Sequence, residues 1–496
     1  MKKIFGILPM FILLNVLNYA QPQFQNFLTY INSISDSLKK DAVIDSFITA
    51  HKADRIPLAE NQIAVFLYKG GSLSVSIAGD FNGWQPNYEM NKVPKSNFFY
   101  FTRSFESNAR LDYKLVVTGN NWILDPLNPH TCMGGYGPNS ELAMPGYVQP
   151  EEIRYNAAVP HGTVEQFSLY SSNLGSSYQI KVYLPHDYTP AQSKNYPTVY
   201  FQDGYEYIDL AGAVNVLDNL IASDKIEKVI AVFVRPNNRN NEYAFGLRTA
   251  YRLFFVNELV PHIDSLFKTE QAASRRLVLG DSYGGNISAL ISYYHPDVFG
   301  NCGLHSGAFQ ENNYEAYNLF ISSPKKDVKF TMVWGTYEPL FTNMRQFRDF
   351  LQSTKYDFNW RELPEGHSWG LWRANIDFML EYIFPYVPAK TDEGMNLPNK
   401  FQLHQNYPNP FNPETTIHYD LAKSGKVSLK VFDSLGKEVG TLVDEEQAAG
   451  AYSVNVTIGK SLHQSGSLSS GVYLYRMSVY ASGSDQVQTK KMVILK

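Results

Sequence analysis

The stretch RRLVLGDSYGGNISALISYY, residues 275–294, sets a serine between two glycines where an apolar run gives way to a helical pattern. Residues 276–280 read as a buried strand and a helix is expected from Gly284, so Ser282 falls in the turn Gly280-Asp281-Ser282-Tyr283-Gly284. A glycine on each side lets the backbone bend sharply with no Cβ in the way, and the bend lifts the serine hydroxyl to the carboxyl edge of a sheet. The helix N-terminus beside it favours the oxyanion formed when a hydroxyl attacks an ester. A lone G-x-S-x-G is weak, because Gly and Ser are common in turns; its place between strand and helix gives it meaning.

Around this turn the pattern is that of an α/β domain. Strand-like YQIKVYLP, YPTVYFQDG, KVIAVFVRP and RRLVLGDS alternate with helical TAYRLFFVNELVPHIDSLF and GGNISALISYYHP. Such alternation implies a mostly parallel sheet covered on both faces. A nucleophilic serine needs a base, and LPEGHSWGLW supplies His367 in a glycine-containing loop after a strand. His295 sits in the helix-ending HPDVFG and His305 follows the next strand, which gives both blander readings. Nine carboxylates lie between Ser282 and His367: Asp297, Glu311, Glu315, Asp327, Glu338, Asp349, Asp357, Glu362 and Glu365. The acid should stand just beyond a strand's carboxyl end. Glu338 does so after VKFTMVWGT, whereas Asp327 precedes that strand and Asp349 belongs to the helix MRQFRDFLQ. The chain order serine, acid, histidine is that of α/β-hydrolases, so the expected catalytic set is Ser282, Glu338 and His367.

Residues 159–385 resemble the esterase D superfamily, which includes feruloyl and acetyl xylan esterases of carbohydrate esterase family 1, siderophore esterases and mycolyltransferases. The likeness rests on VYFQDG, RNNEYAFG, FFVNELVPHID, LVLGDSYGGNISAL, HPDVFG, WGTYEP and EGHSWGLW. Members often carry Asp as the third residue; Glu338 in GTYEP is a variant that the superfamily also uses. The resemblance implies an oxyanion hole made of the backbone N–H of Tyr283 and one from the QDGY turn, with Tyr205 favoured over Gly204.

Upstream, alternating IAVFLYKG, LSVSIAGDFNGW, NFFYFTRSF and LDYKLVVTG predict an antiparallel sandwich. SVSIAGDFNGWQP followed by LDYKLVVTGNNWILDPLNP resembles the early-set domains of glycan-active enzymes, similar to family 48 carbohydrate-binding modules. That likeness makes Trp84 and Trp122 candidates for stacking on sugar rings; the competing reading is a rigid packing partner with both rings partly buried. The run NPHTCMGGYGPNSELAMPGY, rich in Gly, Pro and Asn, reads as a connector. Ahead of the sandwich, apolar residues from Phe24 to Ile48 recur at helical spacing, predicting one or two helices packed on it.

The first residues, MKKIFGILPMFILLNVLNYAQ, have the charge-then-apolar form of an export signal. At the other end, NYPNPFNPETTIHYDL closely resembles the type A sorting domain of type IX secretion, which implies passage across an outer membrane with the secretion machinery as partner. The expected organisation is a signal peptide (1–20), a helical lead segment (21–60), an early-set sandwich (61–148), an α/β-hydrolase domain (149–388), a linker (389–400) and a sorting β-sandwich (401–496).

Composition narrows the partners. A formal net charge of −4 over 496 residues, without a long basic stripe, disfavours nucleic acid. Cys132 and Cys302 are far apart with no metal-ligand spacing, so neither a disulfide framework nor a zinc site is indicated, and the chemistry requires no cofactor. After the leader no stretch is long and apolar enough to span a membrane. The sequence therefore reads as a secreted serine esterase removing feruloyl or acetyl groups from plant polysaccharides such as xylan. A siderophore esterase is the alternative, since Arg235, Arg239, Arg248 and Arg252 could hold an anionic catecholate. An inactive glycan-binding surface protein is the alternative of another class, against which the intact Ser282, Glu338 and His367 stand.

Overall fold

The computed structural model describes residues 22–52, 56–60, 62–387, 400–458, 469–481 and 484–495. The export-signal reading (1–20) and most of the expected linker (389–399) lie outside the described residues. The chain forms two compact units, one ending at Val387 and the other beginning at Pro388.

The first unit is built on the expected parallel sheet. Ile230–Val234, Thr198–Phe201, Arg276–Asp281, Asn301–His305, Lys329–Tyr337 and Phe358–Gly366 lie side by side and parallel, with Ser176–Leu184 and Thr163–Ser171 added antiparallel at one edge. The strand Arg276–Asp281 is buried at every position, as its continuous apolar run predicts for a strand covered on both faces. One face packs on the helices Arg248–Phe254, Tyr283–Tyr294 and Phe341–Ser353 through Tyr251, Ile287 and Phe347. The other packs on Ala213–Ala222 and Ile376–Ile383 through Leu217, Leu220 and Met379.

The N-terminal strands form the expected sandwich, and period-2 alternation shows what each face meets. In Ile63–Lys69, Ala64 and Phe66 point to the sandwich core with Tyr113 and Leu115. Val65 and Leu67 point the other way, onto the helices Pro22–Ser33 and Ser37–His51, through Ile31 and Ile44. Asp36 caps the second helix by accepting from the Lys39 N–H at 2.8 Å. The stretch read as a connector is instead a β-hairpin, Thr131–Gly134 paired with Gly137–Ala143, and the latter strand pairs in turn with Arg110–Val117. Its glycines mark a tight hairpin turn, and composition alone does not separate such a turn from a linker.

The sandwich and the hydrolase share one sheet. Strand Phe358–Gly366 meets strand Arg110–Val117 in parallel at Glu365 opposite Arg110, giving a continuous sheet of fourteen strands. Arg110 is fully buried at this joint. Its guanidinium donates to Glu141 (Nε 3.0 Å, Nη2 2.8 Å), to Asp112 (Nη2 2.7 Å) and to the Ser368 hydroxyl (Nη1 3.0 Å). Arg373 also reaches Glu141, at 3.0 Å.

The second unit is a β-sandwich, with Glu414–Leu421 and Gly450–Thr457 in one sheet and Glu438–Gln447, Gly425–Phe432, Gly471–Ala481 and Ser484–Ile494 in the other. Val427, Leu429 and Val431 alternate into its core with Tyr475 and Met477.

Replacing Arg110 with Met leaves the buried Asp112 carboxylate without a cation, while Glu141 keeps Arg373, a change expected to cost about 3–5 kcal/mol. Urea unfolding of the full chain measures it. The half-exposed pair Lys69–Asp45 (2.6 Å) is the comparison, with Lys69→Met costing under about 1 kcal/mol. Similar losses for the two variants would show that the joint does not depend on Arg110.

Candidate active site

Ser282 stands where the sequence pattern predicts, between the strand Arg276–Asp281 and the helix Tyr283–Tyr294, with φ 53° and ψ −117°. Positive φ is costly for a side-chain-bearing residue. Neighbouring bonds hold it there: the Ser282 N–H donates to the His305 carbonyl (2.8 Å), and the Ser282 carbonyl accepts from Ala308 (2.9 Å) and Asn286 (3.2 Å). A Cβ on Gly280 would lie 2.4 Å from the Gly284 carbonyl carbon, so the turn closes only with glycine there. Tyr283 opens the helix, and its N–H has no partner within the helix.

His367 follows the last residue of strand Phe358–Gly366, and Glu338 follows the last residue of strand Lys329–Tyr337. The two strands are parallel neighbours, so their ends bring the two side chains together: His367 Nδ1 lies 2.5 Å from Glu338 Oε2. Glu338 Oε1 accepts from the Gly335 N–H at 3.0 Å. The carboxylate is buried whereas the imidazole is partly exposed. Trp372 meets the imidazole edge-on at 5.0 Å.

The other eight carboxylates go elsewhere. Glu311 accepts from the Tyr283 hydroxyl, Glu315 pairs with Arg248, Asp349 with Arg348, Asp357 with Lys329 and Glu362 with Arg345, while Asp297 and Asp327 are exposed. Glu365 is buried at the joint beside Arg110. Neither of the other two histidines faces this cleft as a base. His305 is buried on the Tyr207 hydroxyl at 2.8 Å, and burial pushes it down to about 3; His295 is lowered by burial and by Arg252.

Ser282 and His367 line one cleft of about 870 Å³. Trp84 and Trp122 line it too, so the tryptophans singled out in the sandwich belong to the wall of the cleft that holds the serine. Trp84 Nε1 donates to Asp80 Oδ1 at 3.0 Å, and Asp80 Oδ2 accepts from the Asp112 N–H at 2.7 Å. The Asp80 carboxyl packs flat against Gly366, where a Cβ would lie 2.0 Å from its Cγ. Gly370 packs on the Arg110 guanidinium in the same way, with 1.9 Å from an added Cβ to Cζ. The histidine loop is thus held between Asp80 and Arg110, both from the sandwich.

Asp203 of the QDGY turn and Glu206 just after it line the cleft. Tyr205 is the second residue of the helix Gly204–Asp209, with its N–H in the unpaired first turn and its ring beneath Lys181 (4.1 Å) and Arg235 (5.6 Å). Of the four arginines considered for anion binding, Arg239 alone lines the cleft, and two carboxylates engage it: Asp203 at 2.7 Å and Asp281 at 3.3 Å. Arg248 pairs with Glu315, and Arg252 lies over the Tyr294 ring. Three contributors escaped the sequence reading: Tyr136 at the hairpin tip, and Trp369 and Trp372 just after the histidine. The aromatic spacing in HSWGLW was a signal for the last two.

Residues 171–383 match the esterase family model described as "Putative esterase", and residues 405–495 match the secretion system C-terminal sorting domain. The chain is 28% identical over 208 residues to an endo-1,4-beta-xylanase/feruloyl esterase of Xylanibacter ruminicola, covering 39% of this chain and 28% of that protein. It is 24% identical over 275 residues to an iron(III) enterobactin esterase of Escherichia coli, covering 51% of this chain and 65% of that protein. Ferric enterobactin esterase from Salmonella typhimurium shares the fold, with a TM-score of 0.56 at 18% identity over 66% of this chain and 95% of that one. The chain thus carries an esterase-family domain of α/β-hydrolase type and a sorting domain for type IX secretion to the cell surface or extracellular space. Its activity class is carboxylic ester hydrolysis. Among the described residues no helix is long and apolar enough to cross a membrane.

Burial pushes Glu365 from 4.5 up to about 7, against the opposing pull of Arg110. The folded chain therefore holds a proton there that the unfolded chain has released. The stability this group contributes is complete below its unfolded value of 4.5 and is lost as pH rises through about 7. The full loss is on the order of 3 kcal/mol. Urea unfolding at about pH 5 and about pH 8 is expected to show a fall that Glu365→Gln reduces; an unchanged fall in the variant would rule out this group as its source.

Proposed function

We propose that this protein is a secreted serine esterase that removes acyl groups, feruloyl or acetyl, from a plant polysaccharide such as xylan. The observation that carries the reading is one cleft that holds a serine on a strained strand-to-helix turn, a histidine fixed by a buried glutamate, and two sandwich tryptophans. Ser282 Oγ attacks the ester carbonyl while His367 Nε2 takes its proton; Glu338 holds Nδ1–H and balances the imidazolium. The oxyanion faces the N–H groups of Tyr283 and Tyr205. The tetrahedral intermediate then expels the sugar hydroxyl, which takes the proton from His367. Water, deprotonated by the same imidazole, next hydrolyses the acyl-serine and frees the acid. Every step is proton transfer and acyl transfer.

Charge supports a neutral substrate. The cleft is lined by Asp80, Asp112, Asp203, Glu206 and Asp281 against the cations Lys114 and Arg239. Burial and Asp112 raise Asp80 to about 8, and burial and Asp203 raise Asp281 well above its usual range, both shifts that favour the neutral acid. Even then no net positive charge remains to attract a polyanionic ferric catecholate. Export past the outer membrane also suits a polymer substrate better than an iron carrier whose cargo the cell must keep. The xylanase/feruloyl esterase relative adds to this reading, and the likeness to an enterobactin esterase keeps a siderophore in the substrate panel.

An organophosphonate is expected to label Ser282 alone, read by mass spectrometry, and Ser282→Ala to lower turnover by several orders of magnitude. Glu338→Gln is expected to keep the fold and substrate binding while lowering kcat less than Ser282→Ala does; Asp349→Asn, on an exposed helix face, changes it by no more than a few-fold. Full turnover in Glu338→Gln across the working pH range would remove Glu338 from the triad. Methyl ferulate, acetylated xylan and a catecholate siderophore, assayed side by side, decide the substrate. Preferred cleavage of the siderophore would overturn the polysaccharide reading.

Trp84→Ala and Trp122→Ala are expected to weaken pull-down on xylan, since each removes a flat face on which a sugar ring can stack. Loss of thermal stability with pull-down unchanged would leave the two rings a packing role only.

A further inference from the structure

The hairpin Thr131–Gly134 / Gly137–Ala143 presents Tyr136 at its tip, and this ring is fully exposed, at 106% of its reference area, while lining the cleft with Ser282. Gly134, Gly135 and Gly137 flank it, so no neighbouring side chain on the hairpin covers either face. An exposed aromatic ring at a loop tip often needs no explanation, but this hairpin is held in place. Cys132 is buried in the hydrolase core with Trp369 and Trp372, and Asn139 Nδ2 donates to Asp112 Oδ2 at 3.1 Å. The hairpin's other strand is zipped to residues 110–113.

Tyr283, adjacent to Ser282, lines the same cleft. Its hydroxyl donates to Glu311 at 2.7 Å, Phe245 packs on it edge-on at 6.1 Å, and the Arg239 guanidinium lies 5.9 Å from its ring centre. Burial, the bond to Glu311 and, more weakly, the Tyr136 phenol raise the Tyr283 hydroxyl to about 12. One wall is therefore braced by the hydrolase and the other is presented by the sandwich.

The cleft is chemically different at Tyr283 and at His367. Tyr283 supplies an oxyanion N–H, so the acyl carbonyl lies beside it. His367, next to the Gly366 on which Asp80 packs, protonates the leaving oxygen, so the sugar lies beside the imidazole. Resting on the serine-esterase reading above, we propose that Tyr136 is a specificity-determining residue: with Tyr283 it forms a slot for the acyl group and favours planar aromatic acyl groups over acetyl. A planar conjugated acyl group offers two faces for stacking, and acetyl offers none.

The test is the ratio of kcat/KM for methyl ferulate to kcat/KM for methyl acetate, measured on the full chain. Tyr136→Ala is expected to lower that ratio roughly five- to tenfold, the size of one aromatic stacking contact. Tyr136→Phe is expected to preserve it, because the slot uses the ring face and not the hydroxyl. Thermal melting of both variants checks that the exposed site leaves the fold intact. An unchanged ratio in Tyr136→Ala, whether both substrates lose equally or neither loses, overturns the slot and leaves the esterase reading standing. Wild-type protein that cleaves neither ester and takes no organophosphonate at Ser282 overturns the esterase reading, and the slot with it.

Discussion

A single buried guanidinium joins the two halves of the first unit. Arg110 opens a sandwich strand at the point where that strand meets the last strand of the parallel sheet, and its donors are taken by Asp112, Glu141 and the Ser368 hydroxyl. Burying a charge is costly, and pairing offsets the cost only when the geometry satisfies its donors. Here four hydrogen bonds do so, and the guanidinium packs against a glycine that leaves room for it. What the pairing secures is position: Ser368 and Gly370 flank the histidine's loop on one side, and Asp80 presses on Gly366 at the other.

Preorganisation of this kind suits an acyl-transfer site, because imidazole, hydroxyl and oxyanion donors must already be aligned when charge develops. Ser282 stores strain at positive φ, and that strain persists because the carbonyl of His305 and the N–H of Ala308 hold both of its sides. Beneath the turn, Arg239 bridges Asp203 and Asp281, which ties the serine's turn to the QDGY turn. A cation used in this way is not available to bind a substrate anion, and the same bridge that organises the site lowers its appetite for polyanions.

The sandwich therefore supplies part of the wall of the cleft that holds Ser282 and His367. Trp84, Trp122 and Tyr136 all face the cleft, carried on a rigid sheet continuous with the one that carries Ser282 and His367. The sorting sandwich is a separate compact unit with its own core, in keeping with a module that serves export and not chemistry.

Features that depend on neighbours within a few residues are legible in the chain before it folds. The glycine-flanked Ser282, the buried run before it and the helix after it are local patterns, and the position of Glu338 follows from which end of a strand it occupies. The run at residues 63–69 likewise reads as a strand of the sandwich. What those patterns meet is set by folding. Arg110 reads as one more strand residue until Glu141, Asp112 and Ser368 surround it, and Ser368 is 258 positions away. The GGYG run reads as a linker because glycine signals a turn without saying what the flanking strands pair with; pairing to residues 110–113 makes it a hairpin. Arg239 and Arg248 read as free cations until folding brings carboxylates to them. Long-range pairing between polar groups leaves no periodicity in a single chain, since burial of a charge is set by partners that the chain brings from elsewhere.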